Sequence, residues 1–244
     1  MVSAVVLAAG QGKRMGTKTP KQFLEMNGQP IIAVTLGVFE NSPEIDEIIL
    51  VTSADYVPYC RKEIVEKYGF TKVKDVVPGG TERYDSVQAG LHRVTERARE
   101  RAAGNYEERT SGVERCYTIW DYVLIHDGAR PFVTEEILKK TVADVKCHGA
   151  SAVGVPSTDT IKIADEEGFI RETPLRSLVW NIQTPQAFEL KLITRAYEIA
   201  KENGMTGITD DAMVMERSGL AKVHLVEGSY GNIKITTPED LRKI

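Results

Sequence analysis

The sequence predicts an α/β fold with an open, mostly parallel sheet and helices on both faces. Three observations carry that prediction. Short runs rich in Val and Ile alternate along the chain with segments of helical periodicity. The runs are apolar nearly throughout, as parallel strands covered on both faces are. The clusters of glycine, charge and hydroxyl residues fall at the ends of those runs, where open α/β sheets hold ligands.

The first strand, Val2–Ala8, is too short to cross a membrane and lacks signal-peptide flanks. It breaks into Gly10-Gln11-Gly12-Lys13-Arg14-Met15-Gly16, followed by Pro20-Lys21-Gln22. Glycines let backbone N–H groups crowd around a polyanion, and the cations add charge to that cradle. The spacing does not fit a P-loop, and Met15 occupies the third glycine position of a dinucleotide fingerprint. A nicotinamide-dependent oxidoreductase is therefore disfavoured. The glycines alone also fit a plain βα turn; Lys13, Arg14 and Lys21 meeting at one strand end favour a nucleoside triphosphate.

A helix over Ile31–Glu40, a strand over Ile48–Thr52, a helix over Tyr59–Tyr68 and a strand over Val73–Val77 come next. The turn Pro78-Gly79-Gly80-Thr81-Glu82-Arg83 then brings main-chain groups within reach of a flat ligand such as a nucleobase. It equally fits a helix entry capped by Thr81 or Ser86. A helix over Ser86–Arg101 follows, and polar Ala102–Cys116 is expected to carry it into a surface loop.

Strand Tyr122–Ile125 runs into His126-Asp127-Gly128-Ala129-Arg130-Pro131. A carboxylate at a buried strand end is costly without a partner. Asp127 could ligate Mg²⁺, accept from a sugar hydroxyl, or form a turn bridge with Arg130; His126 is expected to bond locally. Helix Glu135–His148 and strand Ala152–Pro156 complete the alternation. Ser157–Phe188 breaks it: Thr160–Ile163, the turn Asp165–Gly168 and Phe169–Thr173 predict a projecting β-hairpin arm. With Leu175, Leu178, Val179 and Trp180 nearby, residues 157–180 are expected to bury their apolar surface in a dimer. Polar clusters remain at Gln183–Gln186, Thr209–Asp211 and Gly231–Lys234, with Thr209 or Asp210 a candidate helix cap.

Composition sets the frame. The 244 residues fit one domain, 1–244, and a net charge of −4 makes the N-terminal cations a local feature rather than a nucleic-acid coat. Cys60, Cys116 and Cys147 are single and unpaired in spacing, which fits a reducing, cytoplasmic setting without a disulfide frame or zinc site.

Seven motifs occur in order from residue 8 to residue 241: A-A-G-x-G-x-R-M, P-K-Q, G-G-x-E-R-x-D-S-V, H-D-x-A-R-P, T-P-Q-x-F, T-D-D-A and N-I-K-x-T-x-P-E-D-L. Together they resemble the 2-C-methyl-D-erythritol 4-phosphate cytidylyltransferase family. The resemblance implies a Rossmann-like nucleotidyltransferase that moves CMP from CTP to the sugar phosphate in isoprenoid synthesis. It also implies a homodimer whose arms complete each other's sites, and Mg²⁺ held mainly by the CTP phosphates. By the same resemblance, Ala8, Ala9, Gly10, Gly12 and Lys13 surround ribose and phosphates. Gly80, Thr81, Arg83 and Ser86 hold cytosine. Arg14, Lys21 and Lys234 are the catalytic cations. Asp127, Arg130, Thr184 and Thr209 serve the sugar phosphate, and Thr160 and Arg176 reach it from the partner's arm. Lys13, Tyr84 and Gly128 depart from the commoner family residues. A ribitol-5-phosphate cytidylyltransferase shares the CTP chemistry and is the nearest alternative. A catalytically silent nucleotide-binding module would be expected to have lost Arg14, Lys21 or Lys234.

Overall fold

The computed structural model describes residues 1–10, 19–107 and 121–242. Gly12, Lys13 and Arg14, and the 108–116 part of the polar excursion, lie outside them. In chain order the strands are β1 (Val2–Ala8), the short pair β2 (Glu25–Met26) and β3 (Gln29–Pro30), β4 (Glu47–Thr52), β5 (Val73–Pro78), β6 (Tyr122–Asp127) and β7 (Ala150–Pro156). The short pair β8 (Ile163–Ala164) and β9 (Ile170–Glu172) then precedes β10 (Trp180–Glu189) and β11 (His224–Glu227). Seven of them form one sheet in the order β11-β7-β10-β6-β1-β4-β5. Every pairing in it is parallel except those of β10, which runs antiparallel between β6 and β7.

Side chains alternate across a strand, so each central strand feeds two cores. Ala4, Val6, Ile48, Leu50 and Leu124 belong to one; Val5, Ile49, Val51, Val123 and Ile125 belong to the other. The first face is covered by α1 (Ile31–Asn41), through Ile32, Leu36 and Phe39, and by Cys60 and Ile64 of the wider π-form turns, Cys60–Glu66, that continue α2 (Val57–Tyr59). The second is covered by α3 (Arg83–Glu107), through Leu91 and Val94. Gly90 lets α3 approach closely, because a Cβ there would lie 2.4 Å from Val5 Cγ1. Beyond it, α4 (Glu135–His148) packs on the first face, and α5 (Leu190–Glu202) and α6 (Asp211–Ser218) pack on the second. A short α7 (Pro238–Arg242) follows. No helix among the described residues is long and apolar enough to cross a membrane.

Local chemistry explains where the reading of the sequence held. Helix α4 spans the predicted residues because Thr134 Oγ1 accepts from the Ile137 N–H at its start. Gly149 ends it in the left-handed region at φ 77°. The hairpin returns through the expected turn, where Asp165 Oδ1 accepts from the N–H groups of Glu167 and Phe169 and Gly168 takes φ 89°. Two corrections are needed. The segment Trp180–Phe188 is not part of the excursion but rejoins the main sheet within β10. The expected Tyr59–Tyr68 helix is a short α turn running into π turns. As expected, the start of the polar excursion continues helix α3, through Glu107.

Candidate active site

A cleft opens at the carboxyl ends of β1, β5 and β6. It is lined by Leu7–Gly10, Lys21, Gln22, Ser53, Ala54, Gly79–Arg83, Ser86, Asp127, Ala129 and Lys234. The backbone leaving β1 is braced by Gln22, which is buried and donates from Nε2 to the carbonyls of Ala8 (2.5 Å) and Gly10 (3.2 Å). At the end of β5 the two glycines are required by contact. A Cβ on Gly79 would lie 2.5 Å from Ser86 Oγ, and one on Gly80 would lie 2.2 Å from Asp85 Cβ. The expected cap by Thr81 or Ser86 is replaced by Asp85, whose Oδ2 accepts from the Glu82 N–H; Ser86 Oγ instead donates to the Glu82 carbonyl.

Charge organises the floor. Asp127 is buried and faces three cations: Lys234 Nζ at 2.8 Å, Arg130 Nε at 3.6 Å and Arg83 Nε at 3.8 Å. Burial alone would raise its carboxyl, but Lys234, Arg83 and Arg130 together hold it well below the usual carboxylate range. Arg83 is gripped from behind by fully buried Asp211, which accepts from Nη1 at 2.8 Å and Nη2 at 2.6 Å. Tyr197 donates its hydroxyl to the same carboxylate at 2.6 Å. Burial opposes the charge on Arg83, yet Asp211 and Asp127 overcome it and keep the guanidinium ionised. Lys21 Nζ donates to the Ile235 carbonyl at 2.8 Å, beside Lys234 in sequence. Three cations thus face buried Asp127, one of them held from behind by Asp211, and Lys21 lines the same cleft, an arrangement suited to a polyanion.

A buried network fixes the strand ends that carry these charges. The Asp127 N–H donates to Thr184 Oγ1, which sits 3.1 Å from His126 Nδ1. His126 Nε2 lies 3.2 Å from the Arg130 carbonyl and must donate to it, so Nδ1 accepts from Thr184. Burial drives the His126 pKa down to about 4, against the pull of Asp127, and the ring is neutral. Asn232 donates to Thr184 O and Gln183 Oε1, while Arg130 Nη1 donates to Asn232 O at 2.8 Å. The Asp127–Arg130 turn bridge therefore exists, alongside a closer contact from Lys234.

Of the residues singled out by sequence, Ala8, Ala9, Gly10, Lys21, Gly80, Thr81, Arg83, Ser86, Asp127 and Lys234 line the cleft. Arg130 and Thr184 bond behind Asp127 rather than lining it. Thr160 and Arg176 are exposed on the arm and do not line the cleft of their own chain. Thr209 is also exposed outside it, and Asp210 is the α6 cap, accepting from the Met213 N–H at 3.0 Å. Gln22, Asp211 and Asn232 are structural partners that sequence reasoning did not single out; each stood inside a quoted motif, P-K-Q, T-D-D-A or N-I-K.

Divalent-cation binding by the protein itself finds little support in the cleft. Asp127 is committed to three cations, and the Asp85 carboxylate accepts from the helix start. With Glu82 the other carboxylate lining the cleft, the donors among the described residues are too few for a protein-held ion.

The model of the family described as 2-C-methyl-D-erythritol 4-phosphate cytidylyltransferase matches residues 2–102 and 107–244. A protein of that name from Geobacter metallireducens is 47% identical over 240 residues, 98% of this chain and 94% of that protein. One from Lachnospira eligens is 42% identical over 242 residues, covering 99% and 96%. The crystal structure of 4-diphosphocytidyl-2C-methyl-D-erythritol synthase from Anaerococcus prevotii superposes with a TM-score of 0.77 at 36% identity, covering 99% of this chain and 93% of that one. A phosphate-ready cleft at the strand ends and a match along nearly the whole sequence lead to one conclusion: the chain belongs to the 2-C-methyl-D-erythritol 4-phosphate cytidylyltransferase family.

Proposed function

We propose that this chain transfers CMP from CTP to 2-C-methyl-D-erythritol 4-phosphate, giving 4-diphosphocytidyl-2-C-methyl-D-erythritol and pyrophosphate in isoprenoid synthesis. The observation that carries the proposal is the set of Lys21, Arg83 and Lys234 around one strand-end cleft, anchored by buried Asp127. In this reading an oxygen of the acceptor phosphate attacks the α-phosphorus of CTP in line. The new P–O bond forms as the α–β bridge breaks, and pyrophosphate leaves with that electron pair. The nucleophile is already anionic, so no base is required, and the work is to bring two polyanions together and stabilise the growing charge. Lys21 and Arg14 serve the reacting phosphates. Lys234, Asp127 and Arg130 orient the sugar phosphate, with Thr184 holding the Asp127 backbone. The Gly79–Ser86 turn holds cytosine, and Ala8–Gly10 with Gly12 and Lys13 surround ribose and phosphates. Mg²⁺ would enter on CTP and offset the charge of its phosphates.

The same proposal makes the protein a homodimer. Phe169, Ile170, Leu175 and Leu178 on the arm are 64–77% exposed, an apolar surface that a second copy would cover. Thr160 and Arg176 would then reach the partner's cleft, and Thr209 would complete the sugar-phosphate pocket. Two measurements test this reading. Mass spectrometry of a reaction with CTP, Mg²⁺ and methylerythritol phosphate should find the diphosphocytidyl product; its absence with folded protein refutes the activity. Sedimentation of Leu178→Asp should shift a dimer toward monomer, and an unchanged dimer would refute the role of the arm.

A further inference from the structure

The last turn of α4 and the first residue of β11 bring together three side chains that the chemistry above leaves unused. Asp144 Oδ1 lies 2.8 Å from His224 Nδ1 and 3.7 Å from His148 Nε2, and the three donor atoms fall within 4.8 Å of one another. The two imidazoles stack with centroids 4.1 Å apart. Half of the chain's four histidines are therefore here, and both are exposed.

We propose that Asp144, His148 and His224 form a site for a divalent transition-metal ion of the Zn²⁺ class, which ties the edge strand β11 to α4. Two imidazoles and one carboxylate suit Zn²⁺, Ni²⁺ or Cu²⁺, whereas Mg²⁺ prefers oxygen alone. Zinc bonds of about 2.0–2.2 Å in a tetrahedron set donors roughly 3.3 Å apart. The observed 2.8 and 3.7 Å to Asp144 bracket that separation, and the two stacked imidazoles, both exposed, would turn their ring planes toward the shared ion. Three protein ligands leave the fourth position to water. Asp144 and His148 share a helix face at i, i+4, close to a helix C-terminus, where positive charge is favoured.

The carboxylate is also oriented from behind. Fully buried Ser151 donates from Oγ to Asp144 Oδ2 at 2.5 Å, which leaves Oδ1 toward the histidines. His224 pairs in register with that same Ser151 in the β7–β11 ladder, so the ion would bridge helix and strand at one level. Ser151 stands near the amino end of β7 and His224 at the amino end of β11, whereas the nucleotide cleft lies at the carboxyl ends of strands running the same way. The proposed ion is a staple remote from catalysis.

Equilibrium dialysis of tag-free, full-length protein against Zn²⁺ in excess Mg²⁺, with the metal counted by mass spectrometry, tests this directly. One Zn²⁺ per chain is expected. His148→Ala and His224→Ala should each weaken binding at least about tenfold, and Ser151→Ala, which keeps all three ligands, should weaken it about tenfold. Cys147→Ser should leave binding unchanged. At a hundredfold excess over Kd, Zn²⁺ should raise Tm by about 5–10 °C. Circular dichroism and CTP-dependent turnover of the histidine variants check their folding, and His148→Gln and His224→Gln replace any that misfold. No saturable binding, or equal binding in both folded histidine variants, overturns the proposal. So does a thiolate-to-metal band with Co²⁺, which would assign the ion to Cys147.

Discussion

Asp211→Asn should damage the protein in two separable ways. In the native chain Asp211 is wholly buried and takes two hydrogen bonds from Arg83 and one from Tyr197. The amide keeps the shape but loses the charge and presents an N–H₂ to a donor. Arg83 is left half-buried on the cleft wall, with Asp127 at 3.8 Å as its remaining anion, and that carboxylate is already shared with Lys234 and Arg130. Breaking a buried pair from one side costs about 3–5 kcal/mol, far more than an exposed pair, because the surviving charge has lost its solvent and its partner. For a chain of this size that corresponds to a fall in Tm of roughly 6–20 °C. Arg83 also lines the cleft, so KM for CTP should rise by about tenfold or more, the effect of losing ~1.4 kcal/mol of binding. Urea unfolding and steady-state kinetics at low temperature measure both. The double variant Arg83→Met/Asp211→Asn should recover part of the stability and none of the CTP affinity. A single variant within about 1 kcal/mol of the parent, with unchanged KM, would refute the claim that Asp211 sets Arg83 in place.

Further outcomes follow from the same geometry. Lys21→Ala should lower kcat by about 10²–10³ with the fold intact, the size expected for one preorganised charge-stabilising donor, and a near-normal kcat would remove Lys21 from the reacting centre. His126 is buried neutral with a pKa near 4 against an ordinary 6.5, so the unfolded chain takes the proton first. Its contribution is whole above about pH 6.5 and is lost as pH falls toward 4, by about 3 kcal/mol. His126→Gln should flatten that part of the stability profile in denaturant titrations, and parallel profiles would contradict the assignment. Gly128→Ala restores the commoner family residue, yet a Cβ there would lie 2.9 Å from the Leu7 carbonyl oxygen and 2.6 Å from Ile32 Cδ1. It should cost about 1–3 kcal/mol by overpacking, and a neutral or stabilising effect in thermal melts would show that β1 and α1 give way.

What the sequence made legible was local. Strand β1, helix α4 and the hairpin turn carry their own signals: an unbroken apolar run, Thr134 and Gly149 at the two helix ends, and Asp165 with Gly168 at the turn. The cations at the strand ends were equally visible, because charge beside glycine after an apolar run has few other uses. Strand β10 was hidden because Gln183, Thr184 and Gln186 interrupt its apolar pattern; their polar groups serve Asn232, His126, Asp210 and the Ala212 N–H. Asp211 was hidden for a different reason. Its partner Arg83 is 128 residues away, and no local pattern distinguishes a helix-opening Asp that caps from one that grips a distant guanidinium. Asp210 does the first and Asp211 the second.

Acceptor choice tests the central claim most directly. Pyrophosphate release from CTP and Mg²⁺ should be measured with 2-C-methyl-D-erythritol 4-phosphate and with ribitol 5-phosphate in parallel, on the same folded preparation. A kcat/KM strongly favouring the methylerythritol substrate is the predicted result. Preference for ribitol 5-phosphate would keep the CTP cleft and contradict the acceptor, and silence with both, in protein that still binds CTP, would contradict the proposed transfer itself.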